Sequence, residues 1–268
     1  MTYCMGLLVK EGLVMMADTR TNAGIDNIST FRKLRVFGED GKRIVAIASA
    51  GSLSTTQALI NRLHEGVTLP GCLEPEFVET APSMFRVAQI IGEAMVGAKK
   101  DIETTIQKQE GVEIGVTLLV GGSIDGRAPR LFLIYGEGNF IECGMDTPYF
   151  QIGELKYGKP ILDRMLDYRT PLPKAMKLGL LSMNSTMRSN LSVGLPIDML
   201  VVRPGQSVAA ITRIGEQDAY YHDLGDRWSK ALAAALENIP LPAYAIPGGC
   251  DSATLPAEAA SATVPGKP

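Results

Sequence analysis

The chain has no apolar run of about 18 residues, so nothing in it reads as a hydrophobic membrane-spanning helix. It has no basic block either. Its 26 lysines and arginines against 29 aspartates and glutamates leave a net charge of −3. A charge so close to neutral, with no cluster to neutralise phosphates, argues against a nucleic-acid partner. Only two histidines are present, His64 and His222, too few for a histidine-rich metal centre. The four cysteines, Cys4, Cys72, Cys143 and Cys250, are scattered without a Cys-x-x-Cys pair. That spacing offers neither zinc ligation nor a disulfide framework, and free thiols suit a reducing cytosol. The opening residues lack the positive charge and apolar stretch of a secretory signal, so a cytoplasmic location is expected.

What is present is an ordinary globular composition, 46% apolar and 21% charged over 268 residues, enough to bury a sizeable core. Apolar and β-branched residues predict strands over Thr2 to Val9, Gly12 to Thr19 and Ile44 to Ser49. Turns at Lys10-Glu11-Gly12 and Glu39-Asp40-Gly41-Lys42 separate them. Apolar residues at helical spacing predict helices over Leu53 to Leu63 and Pro82 to Gln109. Strands are expected again over Ile114 to Gly121, Arg130 to Tyr135 and Asn139 to Cys143, the last two joined at Gly136-Glu137-Gly138. Helices over Gly158 to Tyr168 and Pro173 to Ser189 follow, then strands over Ile197 to Arg203 and Ser207 to Arg213, and a helix over Leu224 to Asn238. Runs of strands alternating with helix pairs point to an α+β fold of two packed sheets with helices outside, not a βαβ repeat. Residues 1–238 are expected to form one domain. Residues 239–268, dominated by Pro, Ala, Gly, Ser and Thr, form a tail with little apolar surface to bury.

The N-terminus carries the chemistry. Thr2 follows Met1, and methionine is normally trimmed before a small residue. A threonine hydroxyl is a weak nucleophile that needs a base. The α-amine of the same residue, with an ordinary pKa of about 7.7–8.0, can be that base near neutral pH. Asp18 closes the second strand, Lys33 lies a loop further on, and Ser49-Ala50-Gly51 precedes a helix. Taken singly, Asp18 reads as a turn residue, Lys33 as a solvated surface lysine and Gly51 as the start of a helix. Their order and spacing together single them out.

The run Thr2-Tyr3-Cys4-Met5-Gly6, then Gly12-Leu13-Val14-Met15-Met16-Ala17-Asp18-Thr19-Arg20-Thr21-Asn22-Ala23-Gly24, resembles the start of proteasome β subunits. There a catalytic threonine is followed by Asp-Ser-Arg-Ala-Thr-Ala-Gly. The chain is most similar to the bacterial proteasome-like Anbu family, through Asn27-Ile28-Ser29-Thr30-Phe31-Arg32-Lys33 and Tyr157-Gly158-Lys159-Pro160-Ile161-Leu162-Asp163-Arg164. The resemblance spans residues 2 to 235. It implies a four-layer αββα sandwich of two antiparallel sheets, the N-terminal-nucleophile hydrolase fold. It implies a threonine-type peptidase, self-assembled into a ring or an open helical turn, acting on a peptide or protein and needing no metal or other cofactor.

The family's site residues fall on Thr2 as nucleophile, Lys33 as the group that lowers the hydroxyl pKa, and Asp18 as the partner of Lys33. They also fall on Gly51, whose N–H would bind the oxyanion. Thr21 and Asn22 lie where the family aligns its substrate as an added strand. Ser49, Thr21 and Leu53 occupy positions lining its specificity pocket. Three departures stand out. The interval from Gly24 to Lys33 is one residue shorter than in typical β subunits. A Gly-Ser-Gly turn is replaced by Ile152-Gly153-Glu154-Leu155. In the family's Asp-x-x-Ser-Gly-Gly, Ser192 fits the serine, but Ser189 takes the place of the aspartate that supports the amine. A non-catalytic scaffold subunit, and an amidase or acyl transferase acting on small peptide-like amides, stay open beside the peptidase.

Overall fold

The computed structural model describes residues 1–22, 28–38, 42–105, 114–205 and 210–245. In chain order the elements open with β1 (Tyr3–Val9), β2 (Gly12–Asp18), β3 (Arg20–Asn22), β4 (Ile28–Thr30), β5 (Leu34–Phe37) and β6 (Arg43–Gly51). The helices α1 (Leu53–Glu65) and α2 (Met84–Thr105) follow. The strands resume with β7 (Val116–Ile124), β8 (Arg130–Ile134), β9 (Phe140–Glu142) and β10 (Tyr149–Gly153). Then come α3 (Lys159–Met165), α4 (Leu172–Ser189), β11 (Ile197–Val202), β12 (Ile211–Ile214) and α5 (Ala219–Glu237).

One antiparallel sheet has the order β10-β1-β2-β11-β12, a second the order β5-β6-β7-β8-β9, and β3 pairs with β4 in a small ribbon. Successive side chains of a strand point to opposite faces, and both faces of each sheet are used. Cys4, Leu13, Met15 and Ala17 of the first sheet meet Ala46, Ala48, Leu119 and Leu131 of the second. On the far face, Leu7 and Met16 press on α4 so closely that a Cβ at Gly179 would stand 2.9 Å from Met16 Cε. Across the second sheet, Val45, Ile47, Val120 and Phe132 are covered by Leu59 and Leu63 of α1 and by Val87 and Ile91 of α2. Each such side chain withdrawn from water contributes ~1.5–3 kcal/mol. The expected four-layer αββα sandwich of two antiparallel sheets is thus observed. Its hairpin β1–β2, with Cys4 opposite Ala17 and Val9 opposite Gly12, carries the N-terminus into the middle of a sheet.

Most of the expected elements appear within a few residues of their predicted limits. α2 starts at Met84, two residues later than expected, because Ser83 Oγ accepts the Arg86 N–H at 3.2 Å and sets the cap. α5 starts earlier, at Ala219, because Asp218 Oδ1 accepts the Tyr221 N–H at 2.8 Å. The strands β3, β4, β5 and β10 were not anticipated. They are short and mix polar with apolar residues, so the period of two is too brief to read. The expected turn at Glu39-Asp40-Gly41, the helix end over Ile106 to Gln109, the strand start at Ser207 and tail residues 246–268 lie outside the described residues. The chain divides into a unit Met1–Gly225, which holds the sandwich, and a unit Asp226–Pro268, within which the expected limit at Asn238 lies. No helix among the described residues is long and apolar enough to cross a membrane.

Candidate active site

The end of β2 delivers Asp18 to a fully buried position beside the first residues of β1. Its Oδ1 accepts the Tyr3 main-chain N–H at 2.9 Å and Lys33 Nζ at 2.7 Å. Lys33 is 6% exposed, and its Nζ also donates to Arg20 O at 2.7 Å. Two acceptors at the same short distance suit an ammonium, which has three donors to place. Burial pushes the Asp18 carboxyl up, while Lys33 and the N–H groups of Tyr3 and Gly194 pull it down. Whichever partner holds the proton, the pair carries no net charge, which lets two titratable groups be buried together.

Above this pair opens a cleft of about 360 Å³. Its walls include Thr2, Thr21, Lys33, Ser49, Gly51 and Leu53, so six of the residues singled out from the sequence converge on it. Phe31, Thr56, Arg20, Ala50 and Gly153 complete the lining, with Met1 beside Thr2. Gly51 ends β6 at φ 117°, and a Cβ there would stand 2.1 Å from Gly115 O. Only glycine allows this turn of the main chain, which leads directly into α1. Ser52 caps α1 by accepting the Thr55 N–H at 3.4 Å. Asn22 lies in β3, and its side chain is outside the described residues. β3 is paired with β4 on one side, and no strand among the described residues pairs with its other edge.

Ser192 is not among the residues lining the cleft. Its N–H donates to Asn190 Oδ1 at 3.0 Å, and Asn190 Nδ2 donates to Glu154 Oε2 at 3.0 Å. Glu154, whose N–H donates to Thr2 O at 2.7 Å, is buried next to the N-terminus. Ser189, the residue in place of the family's aspartate, is exposed at the end of α4. The sequence therefore showed the loss of one carboxylate without showing where another stands. Cys4, close under the site, is no rival nucleophile: burial pushes its thiol well above the ordinary range, keeping it protonated.

No protein-family model and no curated protein matches the chain. Solved structures do. An Anbu mutant from Hyphomicrobium sp. strain MC1 is similar with a TM-score of 0.80 and 42% identity, over 90% of this chain and 99% of its own. The chain belongs to the Anbu family. Anbu (ancestral beta-subunit) from Yersinia bercovieri is similar with a TM-score of 0.79 at 42% identity, over 90% and 99% of the two chains. The helical assembly of the Anbu complex from Pseudomonas aeruginosa supplies a third, with a TM-score of 0.82 at 39% identity over 90% and 98%. Membership of Anbu accounts for the proteasome-like sandwich.

Arg20 ties the Anbu site to the loop after α4. Its Nη1 donates to Leu191 O at 2.9 Å, and its guanidinium lies where a Cβ on Gly194 would stand, 2.2 Å from Cζ. Phe31 and Thr56 were missed as site residues because their only sequence signal is proximity to a motif, and Glu154 was noted only as a departure from the family's Gly-Ser-Gly turn. Their partners are brought in from distant strands and helices.

Proposed function

We propose that this chain is a threonine-type peptidase or amidohydrolase whose nucleophile is Thr2 after removal of Met1. The observation that carries this is the buried Lys33–Asp18 pair, with Nζ 2.7 Å from Oδ1, whose lysine lines a cleft that Thr2 and Gly51 also line. In this reading Thr2 Oγ1 attacks the scissile carbonyl carbon, and its proton passes to the α-amine of the same residue. The Lys33 charge favours the alkoxide that forms. Asp18 fixes the lysine, and through the Tyr3 N–H it also fixes the strand that carries the nucleophile. The Gly51 N–H stabilises the oxyanion, a contribution of about 2.7–4 kcal/mol for one donor. Collapse expels the leaving amine, which takes the proton, and water then hydrolyses the ester on Thr2.

An extended peptide substrate would add to the open edge of β3, where Thr21 and Asn22 supply main-chain partners. Ser49, Thr21 and Leu53, joined by Phe31 and Thr56, would receive the side chain next to the scissile bond. The helical assembly of the Pseudomonas aeruginosa complex supports a homo-oligomer here as well, and the free thiols support a cytoplasmic setting. Exposure of the purified protein to a β-lactone or epoxyketone probe, followed by intact-mass measurement, tests the proposal. An adduct on Thr2 in a chain lacking Met1 is expected. A retained Met1, or a Thr2→Ala variant that still cleaves peptides, would refute it.

A further inference from the structure

Thr2 and Glu154 are cross-strand partners. The β1–β10 register sets Cys4 against Ile152 and Tyr3 against Gly153, so the next step outward sets Thr2 against Glu154. The Glu154 N–H confirms the rung by donating to Thr2 O at 2.7 Å. The main chains are in close contact here, since a Cβ on Gly153 would fall 2.0 Å from Thr2 O.

Glu154 is 7% exposed, yet its carboxylate is held by neutral amides: Oε1 by the Lys156 N–H at 2.9 Å and Oε2 by Asn190 Nδ2 at 3.0 Å. Among the described residues no cation forms a salt bridge with it, which is unusual because a buried charge is costly unless paired. The other charged groups around Thr2 are committed elsewhere. Lys33 and Asp18 neutralise each other, and Arg20 Nη1 is turned onto Leu191 O. The aim of Asn190 is fixed in turn by the Ser192 N–H on Oδ1 at 3.0 Å and by its own N–H on Thr186 O at 2.8 Å. The carboxylate is thus prepared for a positive charge. Loss of Met1 creates one on the residue directly opposite.

We infer that Glu154 is the counter-ion of the Thr2 α-amine, a positioning residue that holds the amine beside the nucleophilic hydroxyl and stabilises the ammonium formed when it takes the hydroxyl's proton. This rests on the proposed removal of Met1 and the role given to Thr2. It also replaces, from the segment just after β10, the carboxylate that Ser189 cannot supply.

Trace acetylation of the full-length protein with acetic anhydride across about pH 5–10, read by peptide mass spectrometry, gives the pKa of the α-amine. The wild-type amine is expected to titrate at or above its ordinary value of about 7.7–8.0. In Glu154→Gln it should fall by ~1 pH unit or more, and Glu154→Asp should restore most of the difference. A wild-type amine below about 7.7, or one indifferent to Glu154→Gln, overturns the inference. If the Gln variant does not fold, the wild-type value and the Asp variant decide. The same samples are treated with the β-lactone probe. A Glu154-dependent amine without an adduct sinks the hydrolase and leaves the counter-ion. An adduct with a Glu154-independent amine does the reverse, and retained Met1 in the intact mass sinks both.

Discussion

Lys33 Nζ stands 2.7 Å from Asp18 Oδ1, with both side chains out of solvent at 6% and 0% exposure. The same carboxylate oxygen holds the Tyr3 N–H. One group therefore holds both Lys33 and the start of the strand that follows Thr2, so under the proposed function it cannot be altered without disturbing fold and chemistry together.

Removing one member of a buried pair strands the other. Lys33→Ala is expected to lower the unfolding free energy by ~3–5 kcal/mol, measured by urea denaturation. Replacing both residues, Lys33→Met with Asp18→Asn, should recover much of that loss, because no charge is left buried. A cycle of Lys33→Met, Asp18→Asn and their double variant in which the losses simply add would show that the pair is not coupled.

Thr2 contributes little to packing, being half-buried at the mouth of the cleft. Thr2→Ala should therefore melt close to the wild type while losing peptide hydrolysis by at least about 10³-fold. Thr2→Ser, which keeps the hydroxyl, should still form the probe adduct. Thermal melting together with adduct formation separates a lost nucleophile from a lost fold.

Gly51→Ala forces a Cβ to within 2.1 Å of Gly115 O at a φ of 117°. The main chain must move, taking the oxyanion donor with it. A fall of ~10²–10³-fold in the acylation rate is expected, with a loss of about 1–3 kcal/mol in stability. Stopped-time adduct formation and thermal melting report the two effects separately.

The buried phenol and thiols set an alkaline limit. Burial raises Tyr3 to about 12 and Cys143 to about 12, and it raises Cys4 further still. In the unfolded chain these groups lose protons at lower pH, so above that point the native state binds more protons and stability falls with rising pH. Their contribution is complete below about pH 8.5 and drains away toward pH 12, at up to ~1.4 kcal/mol per pH unit for each group. Urea midpoints at pH 8 and about pH 11 should differ accordingly. Equal midpoints would show that these groups ionise alike in both states.

The sequence resolved the parts of the site whose partners are near in the chain or marked by a motif. The β1–β2 hairpin could be read from two apolar runs either side of the Lys10-Glu11-Gly12 turn, and it places Asp18 next to Tyr3. Lys33 and Gly51 could be read from their order after it. Glu154 could be read only as a departure, and its meeting with Asn190 could not be read at all. They are 36 positions apart, and they meet because β10 pairs with β1 while α4 ends above them. β10 is five residues long with Gln151 at its centre, so nothing in its pattern announces a strand whose end faces Thr2. The departure at Ser189 was visible as a loss. Its compensation needed the register.

Two of the cleft's surfaces, Gly51 against Gly115 O and Gly153 against Thr2 O, are main chain meeting main chain with no side chain between. A surface of that kind carries no residue identity except the glycine itself. Substitutions at Thr21, Phe31, Ser49, Leu53 or Thr56 would change the shape of the cleft without touching these two main-chain contacts. Under the proposed function, chemistry and selectivity thus rest on different residues, and substrate preference can be altered without touching the nucleophile.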